Sequence, residues 1–382
     1  MRKVYISGLG QVPVTENWDK SLKELAGDAA LLAMQDADIG YPDALYTGNM
    51  MAITANKQAQ LGTMMSDWLG FHHKPGLAVE AACASGAAAF RAALIAISSG
   101  EIDSALVVGA EKMTDSPSSE ITASLATAAD AELESDFGLS FVAINALIMR
   151  RYMYEYNWRH ADFADFSLNA HSNAAHNPFA RFQKAISRKS FLEAPMVAEP
   201  INLMDASPIG DGAAAIILTS QPLARNHPQV VVAGSASCTD TLSVQNRKTP
   251  VFLTAAANSA KQAYAQAGVT PRDIGVFEYH DAFSIMAALS LEASGFAEPG
   301  KGPQLALDGK IKFDSDIPVA TMGGLKARGH PVGATGVYQL LEVTQQLRGT
   351  AGATQVKRTD YGMAQNIGGS GSNITTHILK RE

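Results

Sequence analysis

The sequence predicts an α/β fold made of two similar β-α halves, with a mostly helical segment inserted between them. Helical runs alternate with short apolar strands, the rhythm of a sheet with parallel neighbours covered by helices. The same rhythm occurs twice along the 382 residues. Between roughly Glu111 and Pro200 it lapses.

Taken in order, the elements echo one another. The first half opens on the β-rich Val4-Tyr-Ile, and Val230-Val-Val stands at the corresponding place in the second. A helical run, Ala29 to Asp38, leads through Gly40-Tyr-Pro-Asp to a strand near Tyr46. Its echo, Ala260 to Gly268, leads through Thr270-Pro-Arg-Asp to a strand near Phe277. Next comes Glu80-Ala-Ala-Cys-Ala-Ser-Gly-Ala-Ala-Ala-Phe90, a small-residue turn entering a helix. Ala87, Phe90, Leu94 and Ile97 form its apolar face and Gly100 supplies the stop. The counterpart opens at Ala334-Thr-Gly-Val, with Val337, Leu340, Leu341 and Leu347 as apolar positions. Strands then follow at Ser104–Val108 and from Tyr361 onward.

The inserted stretch holds the aromatic cluster Tyr152 to Trp158 and the polar run His171 to Pro178. Insertions over a sheet often act as lids or cofactor clamps. Asp211 to Thr219 then restores a first-half strand. The expected units are residues 1–112 with 201–222, an inserted loop domain over 113–200, and 228–382.

Composition narrows the function. A net charge of −7 without a basic run argues against nucleic-acid binding. Cys83 and Cys238 are too few for a disulfide framework and suggest a reducing, cytoplasmic setting. No stretch gives the roughly 18 uninterrupted apolar residues of a membrane span, because Ala81 to Ser98 contains Arg91. The N-terminal run is broken at Gly8, Gly10 and Pro13, too early for a signal peptide.

Cys83 is the leading candidate nucleophile. A cysteine in the first turn of a helix meets unpaired N–H groups and the helix dipole, which favour a thiolate. Its small neighbours leave room for a bulky acyl group, although a gap-filling core cysteine fits the segment too. In the second half, His330 precedes a helix and His280 stands at the C-terminal end of a strand, where open α/β sheets usually hold their sites. Asn366-Ile-Gly-Gly-Ser-Gly371 is a glycine-rich turn. Singly, each also reads as a cap, a core histidine or a tight reversal. The cluster Arg181, Lys184, Arg188 and Lys189 suits a nucleotide phosphate as well as it suits a solvated helix face. Lys326 and Arg328 are equally ambiguous, and no metal-ligand spacing is present.

In order, the small-residue cysteine turn, His280-Asp-Ala-Phe283, Gly329-His-Pro-Val-Gly-Ala-Thr-Gly336 and the Asn366-Ile-Gly-Gly turn resemble the thiolase superfamily over essentially the whole chain. The likeness is strongest to the sterol-carrier-protein-x type and the archaeal acetyl-CoA acetyltransferases. The resemblance implies a five-layered αβαβα body and an acyl-CoA C-acyltransferase. His330 would deprotonate Cys83, which would carry the acyl group in ping-pong turnover. One oxyanion hole would use the backbone N–H groups of Cys83 and Gly368. A second would use His330, with help from His280.

Two departures stand out. The thiol that removes an α-proton in ordinary relatives is replaced by Asn366. The alternative cysteine of the sterol-carrier type is replaced by Ala282. His280 is then the expected α-proton base, with Cys238, Tyr279 and Tyr361 as weaker substitutes. A ketoacyl-synthase-like enzyme or carbon–carbon lyase, a non-CoA acceptor, or a partner-dependent subunit stay open. The family pattern further implies CoA thioesters as substrates without a resident cofactor, and a homodimer or homotetramer. It also implies a small zinc-ribbon/OB-fold acyl-CoA-binding partner.

Overall fold

A computed structural model describes residues 2–224 and 226–382. Nine strands form its main sheet: β1 Tyr5–Gln11, β2 Ala44–Gly48, β3 Gly76–Val79, β4 Ser104–Glu111, β5 Gly212–Thr219, β6 Val230–Thr239, β7 Val276–Glu278, β8 Tyr361–Gly368 and β9 Asn373–Arg381. Their spatial order is β3-β2-β4-β5-β1-β6-β9-β8-β7. The two halves join where β1 meets β6, at Tyr5 opposite Val231 and Ile6 opposite Val230.

Read outward from that join, the halves share one topology. β1-β5-β4-β2-β3 corresponds to β6-β9-β8-β7, with Val319 bridging Phe277 where a fifth strand would lie. Each half is mixed rather than parallel throughout. β1–β5 and β5–β4 are antiparallel while β4–β2 and β2–β3 are parallel. The reason is visible in the second half, where β8 turns directly into β9 and must run antiparallel to it. In the first half the whole segment between Glu111 and Gly212 occupies the place of that turn.

Five layers result. Helix α1 (Leu22–Ala37) covers one face of the first-half sheet, and α2 (Ser85–Ser99) packs on the other. The helix α5 (Thr254–Ala267) covers the outer face of the second-half sheet, while α7 (Thr335–Arg348) lies beside α2 in the middle layer. The intervening α3 (Phe141–Tyr156) and α4 (Ala164–Ala174) belong to the insertion, and α6 (Ser284–Ala293) follows β7. Position explains composition here. Ala29, Ala30 and Ala33 of α1 are fully buried, and small side chains let the helix sit close to β1. On α2, Ala87, Phe90, Ala93 and Ile97 are buried, whereas Leu94 is only half-buried.

The middle helices differ from surface helices. Nearly every residue of α7 is buried, including Gln339, Glu342, Thr344 and Gln346, so each polar group needs an internal partner. Gln346, for example, donates to Thr321 Oγ1 and to the Thr354 carbonyl. Ala82–Ser99 has the length and mean apolarity of a membrane span. In the fold it forms the Cys83 turn and α2, which packs on β2, β4 and α7.

Candidate active site

The two middle helices meet at their N-termini, and the site is built there. Two glycines make the approach possible. A Cβ at Gly86 would come within 2.7 Å of the Gly333 carbonyl oxygen, and one at Gly336 within 2.4 Å of the Ala87 nitrogen. The small residues of the cysteine turn and of the histidine turn are thus one packing surface seen from two sides.

Cys83 follows β3 through a sharp elbow. Ala82 takes a left-handed conformation, φ +50°, which costs a non-glycine residue about 1–2 kcal/mol. Ser85 holds it there: its Oγ accepts from the Ala81 N–H (2.9 Å) and donates to the Ala82 carbonyl (2.6 Å). The elbow places Cys83 just ahead of Ala84, the residue that caps α2, and so outside the first helical turn expected for it. Cys83 is 2% exposed and belongs to a buried apolar cluster with Met51, Met113, Ile121 and Val332. Burial pushes its thiol up to about 12, reinforced by the nearby negative charge of Glu111. The expected resting thiolate is therefore corrected to a neutral thiol, which needs a base at the moment of attack. Iodoacetamide should accordingly modify Cys83 slowly at neutral pH. Once His330 is replaced by alanine, its rate should climb about tenfold per pH unit from 7 to 10 without a plateau, as followed by peptide mass spectrometry.

His330 and Cys83 line the same cavity, about 680 Å³ in volume. Its other walls are mainly apolar, with Met113, Ile121, Leu125, Phe141, Val142 and Phe283 among them. His330 Nδ1 lies 2.7 Å from Thr335 Oγ1, and that hydroxyl donates to the Pro331 carbonyl at 3.4 Å. With its proton so directed, the hydroxyl accepts from Nδ1–H and leaves a lone pair on Nε2. Burial, then His280 and Arg328, hold the imidazole well below its ordinary pKa, so it is neutral at pH 7 and able to accept a proton. Replacing Thr335 by valine should cut the acylation rate about tenfold or more while leaving the fold intact, as read by pre-steady-state release of CoA.

His280 stands behind His330, ring centroids 5.1 Å apart and planes at 87°. Its Nδ1 is 3.3 Å from the Ile367 N–H and 3.1 Å from Asn366 Nδ2, both donors. Nδ1 therefore accepts, and Nε2 carries the proton. This departs from the expected role as α-proton base, because the neutral ring presents no free lone pair. Burial lowers its pKa to about 3, with Arg328 adding to the effect.

The remaining candidates divide clearly. Gly368 lies against the cysteine turn, since a Cβ there would be 2.3 Å from the Ala81 carbonyl oxygen. Asn366 is buried, bridging His280 and Gln339 Oε1 (2.9 Å). Of the basic cluster only Arg181 lines the cavity, where it pairs with Glu16 at 2.7 Å. Arg188 pairs with Asp165 and the exposed Lys189 with Glu193; neither lines the cavity, nor does the exposed Lys184. Lys326 and Arg328 are fully buried and cannot meet a cofactor phosphate. Lys326 donates to the Asp205 carbonyl, and Arg328 pairs with Glu342 at 2.9 Å and covers the Tyr338 ring. Cys238 lies on β6 beside Gln262, and Tyr361 sits at the far end of β8 from Asn366.

Sequence reasoning missed Glu111. Its carboxylate accepts from the N–H groups of Met50, Met51 and Gly333 and from Asn49 Nδ2, at 2.8–3.0 Å. It ties the histidine turn of one half to the first-half loop beneath Cys83. An acidic residue ending a strand gives no sign of this, because its partners are backbone groups from distant segments.

A buried thiol and a neutral imidazole in one apolar cavity, at facing helix N-termini, are the groups a thiol-dependent acyl-transfer enzyme needs. Comparisons with known proteins agree. Residues 13–222 match the thiolase N-terminal domain, and residues 236–381 match the thiolase C-terminal domain-like family. An acetyl-CoA acetyltransferase of Methanothermobacter thermautotrophicus is 41% identical, with all of both chains covered. Sterol carrier protein 2 of Bos taurus is 28% identical over 98% of this chain and 72% of its own. Among solved structures, the Ltp2-ChsH2(DUF35) aldolase aligns with a TM-score of 0.86 at 22% identity, covering 99% of this chain and 98% of that one. The chain belongs to the thiolase family. Its class of activity is acyl-CoA acyl transfer.

Proposed function

We propose that this chain moves acetyl or longer acyl groups between CoA thioesters through an acyl-Cys83 intermediate, by thiolysis of a 3-ketoacyl-CoA or by condensation. The observation that carries this reading is the placement of Cys83 and His330 in one apolar cavity, with the imidazole neutral and its Nδ1 anchored. His330 takes the thiol proton as sulfur attacks the thioester carbonyl. The same proton then goes to the departing CoA sulfur. Negative charge on the carbonyl oxygen falls beside the Cys83 and Gly368 backbone, whose N–H groups serve as oxyanion donors.

CoA thioesters are the substrates in this scheme, and it uses no resident cofactor. The mouth of the cavity offers one basic side chain, Arg181, already paired with Glu16. A small acyl-CoA-binding partner of the zinc-ribbon/OB-fold type would supply the missing phosphate contacts. The aldolase neighbour, Ltp2-ChsH2(DUF35), carries two protein names, which is in keeping with that. Self-association through β3 is supported by its position as an outer strand with Leu77 exposed. The two unpaired cysteines suit a reducing cytoplasm.

Incubation with acetyl-CoA followed by peptide mass spectrometry tests the reading. One acetyl group on the Cys83 peptide is expected. Its absence, with and without a co-purified partner, would remove the proposal.

A further inference from the structure

We propose that Glu111 is a positioning residue for the reaction at Cys83: its carboxylate clamps together the segments that wall in the sulfur and stands near it as a buried negative charge. The inference rests on the acyl-Cys83 reading above and deepens it.

Clamping follows from where the four donors lie. Glu111 ends β4 and is fully buried. Its Oε1 accepts from Asn49 Nδ2 (2.8 Å) and the Met51 N–H (3.0 Å), and its Oε2 from the Met50 N–H (3.0 Å) and the Gly333 N–H (2.9 Å). Cys83 shares its buried cluster with Met51, Val332 and Met113. Met51 is itself a donor, Val332 precedes the donor Gly333, and Met113 follows Glu111 by two residues. One carboxylate thus sets three of the side chains in the sulfur's cluster, drawn from three separate stretches of chain. The fit leaves no slack: a Cβ at Gly333 would come within 2.6 Å of Asn49 Cα and 2.7 Å of Glu111 Oε2. Val332 also belongs to the His330 turn, so the clamp fixes that turn against the cysteine.

Among the described residues, no cation cancels the charge. All four donors are neutral N–H groups, and Lys112, the adjacent cation, is taken by Asp211 at 2.8 Å and Asp115 at 2.7 Å. Burial pushes the Glu111 carboxyl up to about 7, opposed by the four donors, so it is largely ionised at pH 8.5. Of the two carboxylates that act on the thiol it is the stronger, ahead of the exposed Glu80. Glu111 does not line the cavity and therefore takes no proton from a substrate. A thiol kept neutral by such a charge reacts slowly with alkylating agents and oxidants between turnovers.

The test compares Glu111→Gln, which keeps the length but loses the charge and one acceptor oxygen, with Glu111→Asp, which keeps the charge but falls short of the donors. Two readouts separate the clamp from the charge. Single-turnover acetylation of Cys83 by acetyl-CoA at about pH 8.5 should fall about tenfold or more in both variants. Alkylation of Cys83 by iodoacetamide at the same pH is followed in chains that also carry His330→Ala. It should speed up about threefold or more with glutamine and stay within about twofold with aspartate. Loss of packing alone would move alkylation alike in both variants, and that result overturns the proposal. So does acetylation at the wild-type rate in either variant. Should the glutamine variant fail to fold, the aspartate arm decides by itself: slowed acetylation with unchanged alkylation is expected, and accelerated alkylation overturns the proposal. Absence of acetylation in wild type would instead sink the acyl-Cys83 reading, while alkylation would still report on the charge.

Discussion

Replacing Cys83 with alanine should lower acyl transfer by about 10⁴–10⁶-fold, the scale seen when a covalent nucleophile is removed from an otherwise intact site. The size of the loss follows from the position of the sulfur. No other cysteine is near: Cys238 lies on another strand and does not line the cavity. Alanine is also tolerable structurally, since Ala81, Ala82 and Ala84 already form the same turn and the elbow is held by Ser85 rather than by the thiol. Intact-protein mass spectrometry with acetyl-CoA should show no adduct, while far-UV circular dichroism and the melting temperature stay near wild type. An adduct persisting in this variant would place the acyl group on another residue.

His330→Ala should cost about 10³–10⁴-fold and should change how the rate depends on pH. Burial and Glu111 hold the Cys83 thiol near 12, so at pH 7 the free thiolate is only about one part in 10⁵. In the proposed mechanism, wild type avoids this through a base that is neutral at pH 7 and lines the same cavity as the thiol. Its pKa is displaced downward, so its own titration adds no step to the wild-type acylation rate between about pH 6 and 9, where the group that titrates is the Glu111 carboxyl, pushed up to about 7 by burial. Without the imidazole, acylation must wait for spontaneous ionisation. The variant's rate should rise about tenfold per pH unit over that range, narrowing the gap to wild type as pH increases. Single-turnover acetylation at several pH values checks both slopes. Parallel profiles would mean that His330 orients the substrate rather than taking the proton.

Much of the fold could be read from residues alone. The repeat of helix, Pro-Asp turn and strand appears in the structure as α1 into β2 and α5 into β7. The run Ala334 to Leu347 is α7 with its 3-10 lead-in, and Val230-Val-Val opens β6. Strand direction was less legible. A period of apolar residues marks a strand without saying which neighbour it joins, and the mixed pairing of β5 and β9 depends on where the chain turns back.

The chemistry divided in a similar way. Cys83 and His330 could be picked out because small residues and glycines are required wherever two backbones approach as closely as Gly86 and Gly333 do. The basic residues misled for the opposite reason. Arg328 and Lys326 look like phosphate ligands in a string of letters, yet burial turns them into partners for Glu342 and the Asp205 carbonyl. Charge written in a sequence carries no information about its solvent.

By itself, then, the sequence determined the duplicated architecture and singled out the candidate nucleophile and the candidate base. Both are written in local patterns, namely periodicity, turn residues and runs of small side chains. Tertiary structure alone decided the protonation of each group. Whether Cys83 rests as a thiol, and which nitrogen of His280 or His330 holds a hydrogen, depends on burial and on partners far away in the chain. Ile367 is 87 residues from His280 and Glu111 is 222 from Gly333, separations at which no local pattern survives.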